Sequence, residues 1–367
     1  MGTYNLGTVG LGHWVKRLHE VLKQHQEISL VKTVGTRAFD DKREELERYG
    51  ISEDRYYRVN AGEPLPDSFF DNLDIVQIAS PNQFHKSQTM QALDKGKVTV
   101  VEKTFAANKQ DFDEVVRFIR DNKFENKVTI HLHYLSKALT TELRRRLPEF
   151  VGKYGRITGI SATFFERTNE EDARRSWLFR PGNGGIFLDW IHPVEIASNV
   201  LGADSWKLAG ARTFIVQPLY DVVNPTAVEA RFEVKGEIFQ PGSQAVIRVG
   251  KGLDVEHKRF RIKFENGAVD LNYLSSEEEI VTGKRGYMEI FDGGHQSITP
   301  TGPLSYEIMV QEMLNMLKGR SPSLTLEETE KFYEPVWDFL ELSKGLQPMA
   351  DTNEIGKFVK DGLGNKY

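Results

Sequence analysis

The sequence predicts an α/β protein in which a doubly wound parallel sheet precedes an α+β domain with a large, mostly antiparallel open sheet. Two observations carry this prediction. In the N-terminal third, short apolar runs alternate with amphipathic helical patterns, which is typical of a parallel sheet. From Gly155 onward, long alternating strands follow one another, which favours antiparallel pairing. The predicted domains are residues 1–135 and 136–367.

Composition narrows the class of protein. The chain has 367 residues, 39% hydrophobic and 28% charged, as expected of a globular protein with two domains. A net charge of −5 argues against nucleic acid as a partner. No apolar run approaches a membrane span and no signal peptide is recognisable, so no membrane partner is expected. The lack of cysteine excludes disulfides and thiolate ligands and is compatible with a cytoplasmic protein.

The first domain is predicted from the order of its elements. Strands are expected at residues 4–9, 28–34, 56–59, 73–79, 98–101 and 128–135. Helices are expected from residue 13 and at 39–49, 86–95 and 109–122. In an open α/β sheet ligands bind at the carboxyl ends of the strands, so site residues are sought in the loops there.

The first strand ends in a glycine turn, Gly10-Leu11-Gly12, and His13 and Trp14 then open a helical pattern. Strand, glycine turn and helix in this order predict a dinucleotide site. Gly10 would allow the tight turn, and Gly12 would let a pyrophosphate approach the helix N-terminus.

Thr36 and Arg37 follow the second strand, where an NAD site would be expected to carry an acidic residue. A hydroxyl and a guanidinium suit a ribose 2′-phosphate. NADP is therefore the preferred cofactor. NAD is the alternative, because Asp40 and Asp41 lie just beyond and either could reach back to a ribose.

Three further strand ends carry polar residues. Ser80-Pro81-Asn82 and His85 follow one strand, and Glu102-Lys103-Thr104 ends the next. Lys103 is predicted to point into the crevice, the alternative being a solvated strand-end lysine. His131 and His133 are predicted to share one face of the last strand. One of them is expected to face the crevice as a substrate contact, in preference to a zinc site, for which no third ligand is evident.

The second domain is predicted from strands at residues 156–167, 207–216, 227–234, 245–249, 259–264 and 268–273, with 284–291 as strand or loop. Helices are expected at 139–150, 304–317 and 326–343, and the tail after Gly345 is expected to wrap the surface.

A glycine-rich segment between the first two of these strands carries cations and an indole, in Arg174, Arg175, Trp177 and Arg180. A helix is predicted from residue 186 to about 201. On it, Asp189 and His192 would share one face at a spacing of three residues. A carboxylate beside an imidazole is typical of a general base, whereas a helix-start aspartate with a surface histidine is the alternative.

Taken together, the glycine turn, the Asn82 loop, the Glu102-Lys103 strand end and the helix that follows Gly184-Gly185 resemble the Gfo/Idh/MocA family of NAD(P)-dependent oxidoreductases. The resemblance implies a Rossmann nucleotide domain followed by a substrate and oligomerisation domain. It also implies that Lys103 is catalytic and touches the nicotinamide, that Asp189 contacts the substrate hydroxyl, and that His192 is the general base. The cofactor contacts expected are Gly10, Leu11, Gly12, His13, Trp14, Thr36, Arg37, Ser80, Pro81, Asn82, His85, Glu102 and Lys103.

Three positions depart from the family pattern. Thr104 replaces a proline, so a trans peptide bond is predicted there because a cis bond without proline is costly. Val15 replaces the third small residue of the glycine fingerprint. The spacing from Asp189 to His192 is three residues instead of four.

The run His133-Tyr134-Leu135-Ser136-Lys137 is similar to an element of glucose-6-phosphate dehydrogenases that holds the substrate phosphate. The candidate substrate contacts are His133, Tyr134, Lys137, Trp177 and Arg180, and a phosphorylated sugar is included among the expected substrates.

The expected activity is hydride transfer between the nicotinamide of NADP and a CH–OH carbon of a sugar, polyol or sugar phosphate. His192 would take the proton, Asp189 would orient the base or the hydroxyl, and Lys103 would stabilise the alkoxide. A homodimer or homotetramer is expected, as in the family. The alternatives are a non-catalytic dinucleotide-binding regulator and a glycosidase with tightly bound NAD.

Overall fold

The computed structural model describes residues 3–167, 186, 189–216, 225–343 and 345–364, apart from the side chains of residues 13, 14, 276 and 277. The described residues form two compact units. Unit 1 contains the chain up to His133 and the segment Tyr306–Thr329. Unit 2 contains Tyr134–Ser305 and the chain from Glu330 onward. The segment 306–329, which the sequence places in the second domain, thus groups with the first unit.

The strands are β1 Tyr4–Val9, β2 Ile28–Gly35, β3 Tyr56–Arg58, β4 Ile75–Ile78, β5 Val98–Glu102, β6 Val128–His131, β7 Ile157–Arg167, β8 Ser205–Phe214, β9 Ala227–Lys235, β10 Phe239–Leu253, β11 His257–Phe264, β12 Gly267–Asn272, β13 Tyr287–Phe291 and β14 His295–Ile298.

The helices are α1 His13–Leu22, α2 Arg43–Arg48, α3 Asp67–Phe70, α4 His85–Asp94, α5 Lys109–Asp121, α6 Ala138–Tyr154, α7 Ile191–Leu201, α8 Ser276–Thr282, α9 Ser305–Leu317, α10 Leu326–Ser343 and α11 Thr352–Leu363. No helix within these ranges is long and apolar enough to cross a membrane.

Unit 1 contains a parallel sheet whose strand order is β3-β2-β1-β4-β5-β6. Every residue of β4 and β5 is buried, as expected of strands covered on both faces. Helix α5 begins where the Asn108 side chain accepts a hydrogen bond from the N–H of Asp111, and its apolar residues, spaced three and four apart, are buried. The predicted doubly wound parallel sheet is confirmed.

Unit 2 contains a sheet in the order β14-β13-β12-β11-β7-β10-β9-β8. The pairs are antiparallel except β7 with β10, which run parallel. Phe164 and Phe165 are adjacent on β7 and project to opposite faces. The ring of Phe165 packs against Phe358 of α11, with centroids 5.0 Å apart. The predicted open, mostly antiparallel sheet is confirmed.

Several predicted element boundaries are wrong. Strand β6 ends at His131 because the N–H of Leu132 donates to the carbonyl of Ile130, so His133 does not continue the strand. Helix α7 begins at Ile191 rather than at 186. The tail folds into helix α11, which begins where the Asp351 carboxylate accepts two backbone N–H groups.

Candidate active site

The glycine turn after β1 has the geometry expected of a nucleotide site. Gly10 has φ +106°, and a Cβ there would lie 2.6 Å from the carbonyl oxygen of Ala79, so only glycine fits. Its N–H donates to the carbonyl of Val34 over 2.9 Å, which ties the turn to the end of β2. At Gly12 a Cβ would meet no described atom within 4 Å, so the space beside this residue is open.

Gly12 is also the N-cap of α1, and it has no side chain to satisfy the first N–H groups of the helix. The first turn contains no acidic residue. These N–H groups and the positive end of the helix dipole suit a pyrophosphate. The residues present therefore fit a dinucleotide. The side chains of His13 and Trp14 lie outside the described part of the chain.

Thr36 and Arg37 are exposed just beyond the end of β2. The Tyr56 hydroxyl donates to the carbonyl of Arg37 over 2.8 Å, which fixes the backbone there. Asp40, the nearer of the two acidic residues considered for a ribose contact, forms an ion pair with Arg43 of α2. Arg37 therefore has an anchored backbone, and the carboxylate of Asp40, three residues further along the chain, already has a cationic partner.

His85 joins the loops that follow β4 and β5. It is 1% exposed, with Nδ1 2.6 Å from the carbonyl of Thr104 and Nε2 2.8 Å from that of Ser80. Burial lowers the pKa of His85 despite these two carbonyls, which act in the opposite direction. Both ring nitrogens are engaged within the protein, which favours a positioning role over the predicted direct contact with cofactor. The loop also contains Pro81, half-buried, and Asn82, buried.

The peptide bond between Lys103 and Thr104 is cis, so the predicted trans bond is wrong. Thr104 is fully buried, its carbonyl faces His85, and its hydroxyl donates to the carbonyl of Ala106 over 2.8 Å. These contacts with residues outside the dipeptide define the turn and are not visible in the local sequence. Lys103 itself is partly exposed at the carboxyl end of β5.

Glu102 is buried at the end of β5 rather than open to a ligand. Its Oε1 accepts a hydrogen bond from Gln77 over 3.2 Å and lies 3.0 Å from Nδ1 of His131. The ring of His131 also packs edge-on against Tyr306, with centroids 4.8 Å apart. This cluster links the ends of β4, β5 and β6. Within the described ranges, no group of three histidine or acidic residues is arranged to hold a metal ion.

In unit 2, Asp189 belongs to a chain of alternating charges on one face of the sheet. Its Oδ2 lies 3.0 Å from Nζ of Lys251 on β10, and that Nζ lies 2.8 Å from Oε2 of Glu166 on β7. The other oxygen of Glu166 lies 3.0 Å from Nζ of Lys258 on β11. The two lysines and Glu166 are not among the predicted site residues, because strands distant along the chain bring them together.

His192 lies in the first turn of α7 beside a buried carboxylate. Its Nδ1 is 3.5 Å from Oε1 of Glu195, whose side chain is 0% exposed. The ring also packs against Tyr134, with centroids 4.5 Å apart. Glu195 is not among the predicted site residues, although its spacing of three residues from His192 on a predicted helix is the same signal that indicated Asp189.

In the predicted phosphate-binding element, the cationic residue Lys137 is already paired within the protein. Lys137 is 1% exposed, and its Nζ donates to Oε2 of Glu279 over 2.6 Å and to the carbonyl of Leu274 over 3.0 Å. Burial raises the pKa of Tyr134 well above its usual value, so this phenol stays protonated. His133 is also buried. The remaining candidates lie outside the described residues, namely Arg174, Arg175, Trp177, Arg180, Gly184 and Gly185.

A Rossmann sheet whose first strand ends in an open glycine turn is typical of proteins that bind a dinucleotide. Residues 4–129 match the family model described as oxidoreductase family, NAD-binding Rossmann fold. This match confirms, over the N-terminal domain, the predicted resemblance to the Gfo/Idh/MocA family. The protein is thus an oxidoreductase with an NAD(P)-binding domain.

Relatives extend the similarity beyond this domain. The scyllo-inositol 2-dehydrogenase (NADP(+)) IolU of Bacillus subtilis is 22% identical over 269 residues, which cover 72% of this chain and 74% of that protein. A 3-ketoreductase from Actinomadura kijaniata, in complex with NADP and TDP-benzene, has a TM-score of 0.75 at 16% identity, with 95% of this chain and 100% of that chain covered. An aldose-aldose oxidoreductase from Caulobacter crescentus complexed with glycerol has a TM-score of 0.72 at 16% identity, with 93% and 98% covered.

Proposed function

We propose that the protein is an NADP-dependent oxidoreductase that interconverts a secondary hydroxyl and a carbonyl on a sugar or polyol. In this proposal residues 1–135 hold the nucleotide and the C-terminal domain holds the groups for the substrate. The observation that carries the proposal is the contact between His192 and the buried carboxylate of Glu195. An imidazole held in this way is suited to proton transfer, which must accompany hydride transfer at a CH–OH carbon.

The preference for NADP rests on Thr36 and Arg37. Their hydroxyl and guanidinium are exposed where the ribose of a dinucleotide is expected, and Asp40 is paired with Arg43. The names of the Bacillus dehydrogenase and of the Actinomadura complexes also specify NADP. NAD remains the comparison cofactor in every assay.

The residues have separate roles. The nicotinamide, when bound, supplies the hydride acceptor or donor. Glu195 lies at Nδ1 of His192, so Nε2 is the nitrogen that takes the hydroxyl proton, or returns it in the reductive direction. Asp189 accepts a hydrogen bond from a substrate hydroxyl. Lys103 donates a hydrogen bond to the reacting oxygen and stabilises negative charge as it develops.

An uncharged substrate is favoured over a phosphorylated one. Lys137 is paired with Glu279, and Lys251 and Lys258 each face two carboxylates. The positive charges of these lysines are therefore already balanced by neighbouring carboxylates. Paired carboxylate and ammonium groups can still accept and donate hydrogen bonds, as the neutral hydroxyls of an uncharged substrate require. The names of two relatives specify an inositol and an aldose, both of which are polyhydroxy compounds.

The test is nicotinamide absorbance with scyllo-inositol, myo-inositol, glucose and glucose 6-phosphate, each with NADP and with NAD. A substrate-dependent rise with NADP supports the proposal. His192→Ala should then lower kcat by about 10²–10⁴-fold with nucleotide binding retained, the range expected for a general base. Lys103→Ala should also abolish turnover. Nucleotide binding without turnover on any substrate would favour a regulator, and NAD that co-purifies with glycosidase activity would favour that alternative.

A further inference from the structure

Lys251 connects Asp189 to the sheet of unit 2. It lies opposite Glu166 in the register of the parallel pair β7 and β10, so both side chains project from the same face. Its Nζ is 2.8 Å from Oε2 of Glu166 and 3.0 Å from Oδ2 of Asp189. The side chains of Lys251 and Asp189 are only 15% and 16% exposed. The ion pair is therefore shielded from most of the solvent that screens surface pairs.

The two carboxylates keep Lys251 charged. Burial alone would lower the pKa of this ammonium, but Asp189 and Glu166 together raise it well above its usual value. By the same attraction, the ammonium favours the ionised form of its carboxylate partners. Because it pairs with Oδ2, Lys251 also restricts the directions in which the carboxylate of Asp189 can turn.

We propose that Lys251 is a positioning residue that holds Asp189 ionised and oriented as the acceptor for a substrate hydroxyl. This inference rests on the proposed function, in which Asp189 contacts the substrate. Lys251 acts through Asp189, and its contribution should therefore vanish when Asp189 can no longer accept that hydrogen bond as a carboxylate. A purely structural lysine would lack this dependence.

The experiment is a double-mutant cycle with Lys251→Met, Asp189→Asn and the double variant, assayed with NADP and the best substrate of the panel above. Lys251→Met should raise KM about 10-fold or more with a smaller change in kcat, because a hydrogen bond present throughout the reaction contributes uniform binding. In the Asp189→Asn background the same change should alter KM less than about 3-fold. Lys251→Arg keeps the positive charge and should restore most of the KM.

Lys153→Met is the matched control. Lys153 forms an ion pair with Asp292 over 2.7 Å in the same unit, its side chain is 54% exposed, and it has no part in the proposed chemistry. KM and kcat should be unchanged in this variant. Nucleotide binding and the thermal unfolding midpoint, measured on every variant, separate a folding defect from a loss of positioning.

The outcomes distinguish this inference from the proposed function. Additive effects of Lys251→Met and Asp189→Asn on KM, or an unchanged KM in a folded Lys251→Met, would overturn the positioning role and leave the oxidoreductase proposal standing. An unchanged KM in Asp189→Asn would overturn the assigned role of Asp189 and the inference built on it. Absence of turnover by the wild-type protein across the panel would overturn the proposed function and the inference together.

Discussion

Oε1 of Glu195 lies 3.5 Å from Nδ1 of His192, and both residues are on the first two turns of α7. Glu195 is completely buried and His192 is 6% exposed. A buried carboxylate at Nδ1 favours the tautomer with the proton on that nitrogen, which leaves Nε2 to exchange a proton with a ligand. In the proposed mechanism Glu195 orients His192, as Lys251 is proposed to orient Asp189, and neither Glu195 nor Lys251 contacts the substrate itself.

Glu195→Gln should lower kcat by about 10- to 1,000-fold, which is part of the 10²–10⁴-fold that a positioned general base contributes. Glutamine keeps the shape of the side chain but can also present an N–H to Nδ1, so the tautomer is no longer fixed. Steady-state kinetics with NADP and the panel substrate measure the effect. Asn199→Ala, half-buried on the same helix, is the control and should retain kcat. An unchanged kcat in Glu195→Gln would remove Glu195 from the mechanism.

The two glycines of the nucleotide turn should respond differently to alanine. Gly10→Ala places a Cβ 2.6 Å from the Ala79 carbonyl at φ +106°, so the free energy of unfolding should fall by about 1–3 kcal/mol. Gly12 has φ −74° and open space around its Cβ position, so Gly12→Ala should leave stability unchanged. If a pyrophosphate approaches Gly12, the added methyl should nevertheless weaken nucleotide binding by 10-fold or more. Thermal unfolding and fluorescence titration with NADPH measure the two effects. Tight binding by Gly12→Ala would place the pyrophosphate elsewhere.

Arg37→Ala should lower kcat/KM for NADP about 10- to 100-fold relative to NAD, the size expected for a charge-assisted hydrogen bond to phosphate. NAD lacks the 2′-phosphate, so its kcat/KM should change little. Arg48→Ala is the control, because Arg48 is exposed at the end of α2 and has no part in the proposed nucleotide site, so both values should be retained. Equal losses with both cofactors in Arg37→Ala would contradict the assignment of NADP specificity.

The local sequence was sufficient to predict most of the helices and strands. The apolar periodicity of α5 and α10, and the valine-rich run of β5, predicted elements whose structural bounds agree within one residue. The positions of Lys103 at the end of a strand and of Gly12 at the start of a helix were also predicted, because neighbouring residues encode strand ends and helix starts. The resemblance to a known family likewise rested on short runs of neighbouring residues.

Long-range contacts account for what the sequence could not show. The carbonyl of Thr104, the residue after the cis bond, lies 2.6 Å from Nδ1 of His85, which is 19 residues away along the chain. Lys251 and Glu166 meet only because β10 pairs with β7. The buried pair of Lys137 and Glu279 joins residues 142 apart, and it neutralises a cation that the local motif assigned to phosphate. No periodicity in the sequence encodes these pairings.

The charge cluster around Glu166 should make stability depend on acid pH. Burial alone would raise the pKa of Glu166, but Lys251 and Lys258 outweigh it and hold the pKa well below its usual value of 4.5. A carboxyl group with a lowered pKa in the folded state adds stability above its unfolded pKa, and that stability is lost as pH falls through the folded value. At neutral pH Glu166→Gln should therefore unfold at lower urea concentration than the wild-type protein, since two lysines lose a shared carboxylate. The difference in urea midpoint between the two proteins should narrow progressively below about pH 4.5, because the unfolded wild-type chain takes up a proton at Glu166 there, whereas folded Glu166 stays ionised to lower pH. Urea denaturation of both proteins from about pH 7 to about pH 3 measures this difference in midpoint. A difference that stays constant over this range would show that Glu166 does not interact with the two lysines as a carboxylate.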